Sequence, residues 1–111
     1  MREAEIQQQI RLALGRETDL VLWRNNVGIG TMDDGSKQQF GLCKGASDLV
    51  GILAPTGRFV AFEVKSAKGR VRDEQKLFLE LVRGRGGFAA VVRSVDEAKA
   101  ALERARAGAN E

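Results

Sequence analysis

Apolar residues recur along this chain at two spacings, and the change from one to the other marks its elements. In residues 2–15, Ile6, Ile10, Ala13 and Leu14 form a helical stripe that Gly15 can end. Leu20-Val21-Leu22-Trp23 then reads as a buried strand closing on Arg24-Asn25-Asn26, and this apolar setting assigns Trp23 to the core rather than to base stacking. Asp48-Leu49-Val50-Gly51-Ile52-Leu53 is a second strand, Pro55-Thr56-Gly57 a turn, and Arg58 to Lys65 a third strand. The spacing next predicts a helix from about Asp73 to Arg83, with Leu77, Phe78, Leu81 and Val82 inward and Gly84-Arg85-Gly86-Gly87 as its stop. Phe88-Ala89-Ala90-Val91-Val92 has too few polar residues for a solvated face and reads as a central strand. Ser94-Val95-Asp96-Glu97 fits a capping box that launches a last helix through about Arg106.

The stretch from Val27 to Ser47 escapes this pattern. It is glycine-rich, and the turn signal in Asp34-Gly35 allows a short hairpin. A loop this long in a small domain is usually functional or mobile. With no internal repeat and no low-complexity linker, the 111 residues read as one domain spanning 1–111. The order is α-β-β-β-α-β-α, an α/β fold with a mixed sheet flanked by helices.

Composition narrows the chemistry mainly by what is missing. The chain has no histidine and no tyrosine, which removes His-ligated zinc, Ser-His-Asp triads, Cys-His pairs and a Tyr nucleophile. The single cysteine, Cys43, cannot form an internal disulfide, fits a reducing compartment, and without a histidine reads as an inert small hydrophobe. No apolar run approaches the roughly 20 residues that span a bilayer, and Met1-Arg2-Glu3-Ala4-Glu5 opens a polar helix rather than a signal peptide, so a cytoplasmic protein without a membrane partner is expected. Gly28-Ile29-Gly30 lacks a third glycine and no Gly-Lys-Ser/Thr occurs, which argues against a nucleotide cofactor. A net charge of +3 is a mild pointer to a polyanionic partner.

Carboxylates and lysine must therefore carry any catalysis. Glu63 and Lys65 lie two apart on the third strand and leave the same face, while Val60, Phe62 and Val64 point into a hydrophobic layer. The turn at Pro55-Thr56-Gly57 pairs the second and third strands antiparallel, so Asp48 can lie near Glu63 at the same sheet end. Two carboxylates suit a hard cation such as Mg²⁺, which polarises a phosphoryl oxygen and activates water, and a lysine beside it can orient the water or offset negative charge. Taken alone, a Glu-x-Lys pair on a strand is more often a solvated ion pair.

The arrangement Asp48-x14-Glu63-Val64-Lys65 resembles the PD-(D/E)xK nuclease superfamily, and specifically its VRR-NUC branch, common in phages and prophages. The matching segments run from Glu3 to Gln7, Arg24-Asn25-Asn26-Val27-Gly28, Gly45-Ala46-Ser47-Asp48-Leu49, Phe62-Glu63-Val64-Lys65, and Gln75. The resemblance implies a restriction-endonuclease-like α-β-β-β-α-β core plus a C-terminal helix. It implies Asp48, Glu63 and the main-chain carbonyl of Val64 as ligands of Mg²⁺ or Mn²⁺, Lys65 serving the attacking water, Gln75 lining the site and a first-helix glutamate assisting. Glu3 shares the face of Ile6 and Ile10 and is preferred to Glu5 in that role. The substrate implied is DNA, branched or structured as in Holliday junctions, cut inside the host cell by a homodimer with an isologous interface. One departure is Arg72, which stands where the family has a serine before the second helix and leaves Asp73 as the expected cap.

Around this site Lys65, Lys68, Arg70, Arg72 and Lys76 form a basic run, with Lys44 nearby, that suits a phosphate track. Arg24, Asn25 and Asn26 either contact phosphates beside the site or simply end a strand. The alternatives to an endonuclease are a non-catalytic DNA-binding module of the same fold, a sequence-specific restriction-type nuclease, and a small structural subunit.

Overall fold

The computed structural model describes residues 1–26 and 28–111. Val27, which belongs to the Arg24–Gly28 segment and opens the glycine-rich stretch, lies outside the described residues. In chain order the elements are α1 (Glu3–Leu14), β1 (Leu20–Arg24), β2 (Gly28–Thr31), β3 (Lys37–Phe40), β4 (Leu49–Leu53), β5 (Arg58–Val64), α2 (Asp73–Gly84), β6 (Phe88–Val92) and α3 (Val95–Arg106). Four strands make a mixed sheet in the order β1-β4-β5-β6, antiparallel except for the β5–β6 pair. That parallel pair requires a crossover, and α2 provides it.

The sheet is a middle layer because its two central strands are apolar on both faces. Leu49, Leu53, Val60, Phe62 and Val64 join Ile6, Ile10, Leu14 and Leu102 in a core beneath α1 and α3. The alternate residues Val50 and Ala61 pack with Phe78, Leu79 and Val82 beneath α2. Phe62 and Phe88 anchor the larger core with ring centroids 6.0 Å apart in a tilted pair. The last helix starts at Ser94, whose Oγ accepts from Glu97 N at 3.1 Å, but the reciprocal half of the expected capping box is shifted by one residue: Glu97 Oε1 accepts from Arg93 N at 3.0 Å, not from Ser94 N. Arg106 at its other end donates to Asp19 at 2.8 Å and Glu17 at 3.0 Å, pinning α3 to the α1–β1 connection.

Several expectations from sequence need correction. Trp23 is 45% exposed: β1 is an edge strand whose Leu20 and Leu22 pack under α1, while α2 lies over β5 and β6 and leaves Val21 and Trp23 uncovered. Strand β6 is also an edge strand, not a central one; its apolar sequence reflects helices on both faces, and the tail covers part of its rim, Ala89 N donating to Asn110 O at 2.8 Å. Helix α2 buries Gln75, Phe78, Leu79 and Val82, leaving Leu77 and Leu81 outward. The true stripe contains a polar residue, so apolar spacing alone misplaced it. The cap of α2 is Arg72, not Asp73, and Gln75 Oε1 accepts from Arg72 N at 2.8 Å. The glycine-rich stretch does form a hairpin, β2–β3, with Asp34-Gly35 in its turn, and its strands pack mainly on each other.

Gly51 lets β1 approach β4, since a Cβ there would come within 2.1 Å of the Val21 carbonyl oxygen. Replacing Gly51 with Ala must push the backbone of β1 away, and is expected to lower the unfolding free energy by about 1–3 kcal/mol. Urea denaturation checks this; an unchanged midpoint would mean that β1 is not held as described.

Candidate active site

The site is built by strand register. Leu49 pairs with Phe62 at the end of the β4–β5 ladder, so the next step along both strands sets Asp48 opposite Glu63. Val64 N donates to Asp48 Oδ2 at 3.1 Å, which anchors the aspartate on the strand it faces. From the other side Asn25 holds the same corner. Its main-chain N donates to Asp48 O at 2.8 Å, its Nδ2 donates to Ser47 O at 3.2 Å, and its Oδ1 accepts from Leu42 N at 3.4 Å. The approach loop can lie against α2 because Gly45 adopts φ +88° and has no Cβ, which would meet Glu74 O at 2.4 Å.

Glu63 has no solvent exposure, and Lys65, on the same face, has 5%. Glu63 Oε1 accepts from Gln75 Nε2 at 3.1 Å, so α2 is oriented over β5 by a buried polar contact. Glu63 Oε2 has no partner, and neither does the equally buried Ser47 Oγ. A buried carboxylate oxygen left unmet is costly unless something charged satisfies it. Burial pushes the Glu63 carboxyl up to about 9, and the neighbouring Asp48 carboxylate and the charge of Glu3 add to the push, while Lys65 opposes it. Two carboxylates this close do not both ionise without a compensating cation.

These residues fit a hard divalent ion. The donors are oxygens, one of them orphaned, and a lysine stands close without an ion pair within 4 Å among the described residues. Among the described residues no group of three or more Cys, Asp or Glu side chains is arranged to hold a metal ion. Asp48 and Gln75 open onto a cleft of about 400 Å³ lined also by Asn25, Ile29, Gln39, Lys44 and Arg72.

The structure brings Asp48, Glu63, Lys65 and Gln75 together, with Glu3 near enough to act on Glu63 through its charge. Lys44 and Arg72 reach the cleft, while Arg24, Asn26, Lys68, Arg70 and Lys76 are exposed and lie outside its lining. Asn25 lines the cleft too, but its amide is engaged with Ser47 and Leu42. Sequence reasoning placed Ser47 in the segment Gly45-Ala46-Ser47-Asp48-Leu49 but gave it no role of its own. It missed Arg93, whose guanidinium donates to Ser66 O at 2.6 Å and Gly69 O at 2.8 Å and so braces the loop after Lys65. Nothing in the sequence marks Arg93 out.

An aspartate thus faces a Glu-x-Lys strand at one end of a mixed sheet with helices on both sides. Residues 3–96 match the model of the VRR-NUC domain, and the chain belongs to that family, within the PD-(D/E)xK nuclease superfamily. A solved structure described as a VRR_NUC domain is similar over 91% of this chain and 94% of that one, with a TM-score of 0.58 and 25% sequence identity. Comparison with curated protein sequences gives no match.

The raised Glu63 carboxyl has a consequence for stability without metal. Between pH 4.5, its ordinary value, and about 9, the unfolded chain releases a proton that the folded chain keeps. Stability from this group is therefore present below pH 4.5 and is lost as pH rises toward 9. In EDTA, Glu63→Gln is expected to melt close to wild type at pH 5 and above it at pH 8. Adding Mn²⁺ at pH 8 should raise the wild-type melting temperature and not that of the variant. Parallel melting curves for the two proteins across this range would refute the assignment.

Proposed function

We propose that the chain is a divalent-metal-dependent DNA endonuclease, one domain over residues 1–111, acting on branched or structured DNA such as Holliday junctions. The observation that carries this reading is the meeting of Asp48 and Glu63 at one sheet end. One buried oxygen is unmet, Lys65 stands beside them, and a cleft with basic residues lies in front. Family membership in a nuclease-type domain supports it.

Asp48, Glu63 and the main-chain carbonyl of Val64 would hold Mg²⁺ or Mn²⁺. When bound, such an ion supplies Lewis-acid polarisation of a phosphoryl oxygen and eases the loss of a proton from water. Gln75 fixes the Glu63 carboxylate by donating to Oε1, leaving Oε2 for the ion. Glu3 adds negative charge at the edge of the site. The Lys65 ammonium orients the attacking water and offsets the charge that builds on the phosphate as the P–O bond breaks. Lys44 and Arg72 contact flanking phosphates, the latter released from an exposed, weakly held pair with Glu74 at 3.2 Å. Arg24, Asn26, Lys68, Arg70 and Lys76 extend this track over the surface around the cleft.

Cutting a junction symmetrically requires two such sites, so the working form is a homodimer. An apolar groove lined by Leu42, Phe59, Phe78, Leu81 and Val82 supports a self-association surface. Among the described residues no helix is long and apolar enough to cross a membrane. We place the activity in the cytoplasm, where phage or host DNA is available.

The test is cleavage of labelled four-way junctions, flaps, forks and linear duplex with Mg²⁺ or Mn²⁺. Wild type should cut branched substrates at paired positions, and Asp48→Asn and Lys65→Ala should each lose about a hundredfold or more in rate. Equal cleavage by all three proteins would attribute the activity to a contaminant. Discrete cuts confined to linear duplex would favour a restriction-type enzyme, and EDTA-insensitive binding without any cleavage a non-catalytic module.

A further inference from the structure

The β2–β3 hairpin takes no part in the chemistry above, yet it borders the same cleft. Its cross-strand neighbours divide between two faces. Gly28 with Phe40 and Gly30 with Gln38 occupy one; Ile29 with Gln39 and Thr31 with Lys37 occupy the other. The Phe40 ring lies over Gly28, where a Cβ would come within 2.6 Å of Cζ, so on the first face this glycine is covered by an aromatic ring that is itself 49% exposed. The second face is open. Ile29 is 71% exposed, and Lys37 Nζ donates to Thr31 Oγ1 at 2.7 Å.

One exposed isoleucine is ordinary on a protein surface. Its position is not. Ile29 and Gln39 line the cleft that Asp48 and Gln75 open onto, with Lys44 on the same lining and Arg72 and Glu74 contributed by the start of α2. The hairpin and the start of α2 thus both line the cleft, whose lining carries the cations Lys44 and Arg72, and the open face of the hairpin continues past the lining to Lys37 beside the turn.

We propose that the Ile29–Thr31–Lys37–Gln39 face is the second wall of a DNA channel, and that it grips the duplex arm next to the scissile phosphate. The identity of the polymer rests on the nuclease reading above. A two-stranded ribbon is narrow enough for a duplex groove, about 12 Å wide on its major side. Lys37 and Gln39 contact phosphate oxygens and Ile29 packs on sugars, so the grip is independent of base sequence. The acids Asp33 and Asp34 sit in the turn, where Asp34 accepts from Ser36 N at 2.9 Å and Ser36 Oγ at 2.6 Å. Their negative charge keeps the turn itself off the phosphates.

The experiment compares wild type, the triple variant I29S/K37A/Q39A, the single variants Ile29→Ser and Lys37→Ala, and Lys99→Ala. Lys99 is an exposed residue of α3 outside the cleft lining, so it controls for the loss of one positive charge. Affinities for a labelled four-way junction, a linear duplex of the same arm sequence and a single strand are measured by fluorescence anisotropy with Ca²⁺ in place of Mg²⁺. The triple variant should bind the junction and the duplex about tenfold more weakly. Each single variant should lose part of that, with an unchanged melting temperature. Binding equal to that of Lys99→Ala overturns the proposal, as does a loss confined to the single strand or a wild type with no affinity for any probe. A wild type that binds but never cleaves removes the nuclease reading, while the same comparison of affinities still decides the channel wall.

Discussion

Where β4 and β5 pair antiparallel, Asp48 and Glu63 are held opposite one another, the second with no solvent exposure and with one oxygen unpartnered. Folding alone gives no reason to bury an acid there. An isolated charge in such a place is expensive, and without metal the chain keeps the Glu63 proton instead. The surrounding structure is arranged to hold this pair. Gln75 reaches across from α2, Val64 N fixes Asp48, and Asn25 ties the end of β1 to the loop that delivers Asp48. A local rule of stability is broken here, at the place where the proposed chemistry lies.

The same pair explains the orientation of the helix above it. Were α2 packed by apolar burial alone, Leu77 and Leu81 would face the sheet; instead Gln75, Phe78, Leu79 and Val82 do. The side chain that breaks the apolar stripe also closes the start of α2 by accepting from Arg72 N, so one glutamine serves both the helix and the acid. The hairpin, by contrast, adds little to the core and borders the cleft, as loops on a rigid scaffold commonly do.

Much of this was legible in the residues. The central strands announced themselves as apolar runs, the turn at Pro55-Thr56-Gly57 implied their antiparallel pairing, and the step of two between Glu63 and Lys65 put both on one face. What could not be read depended on partners distant in sequence. Whether Trp23 is covered depends on where α2 lies, and whether Phe88–Val92 is central depends on sheet order; neither is encoded in the strand itself. Asn25 looked like a phosphate contact or a strand end because its type suits both, and only the fold shows its amide joining two main-chain segments. Arg93 gave no local signal, since its acceptors are carbonyls 24 and 27 residues away.

The central claim, that Asp48 and Glu63 share a divalent cation, is tested most directly by crystals grown with Mn²⁺ and measured for anomalous scattering. The account predicts a single strong peak within coordination distance of both carboxylates, about 2.0–2.3 Å for a small hard cation, with Gln75 still on Glu63 Oε1. A map with no peak there, and Glu63 remaining neutral against Asp48 at saturating Mn²⁺, would contradict it.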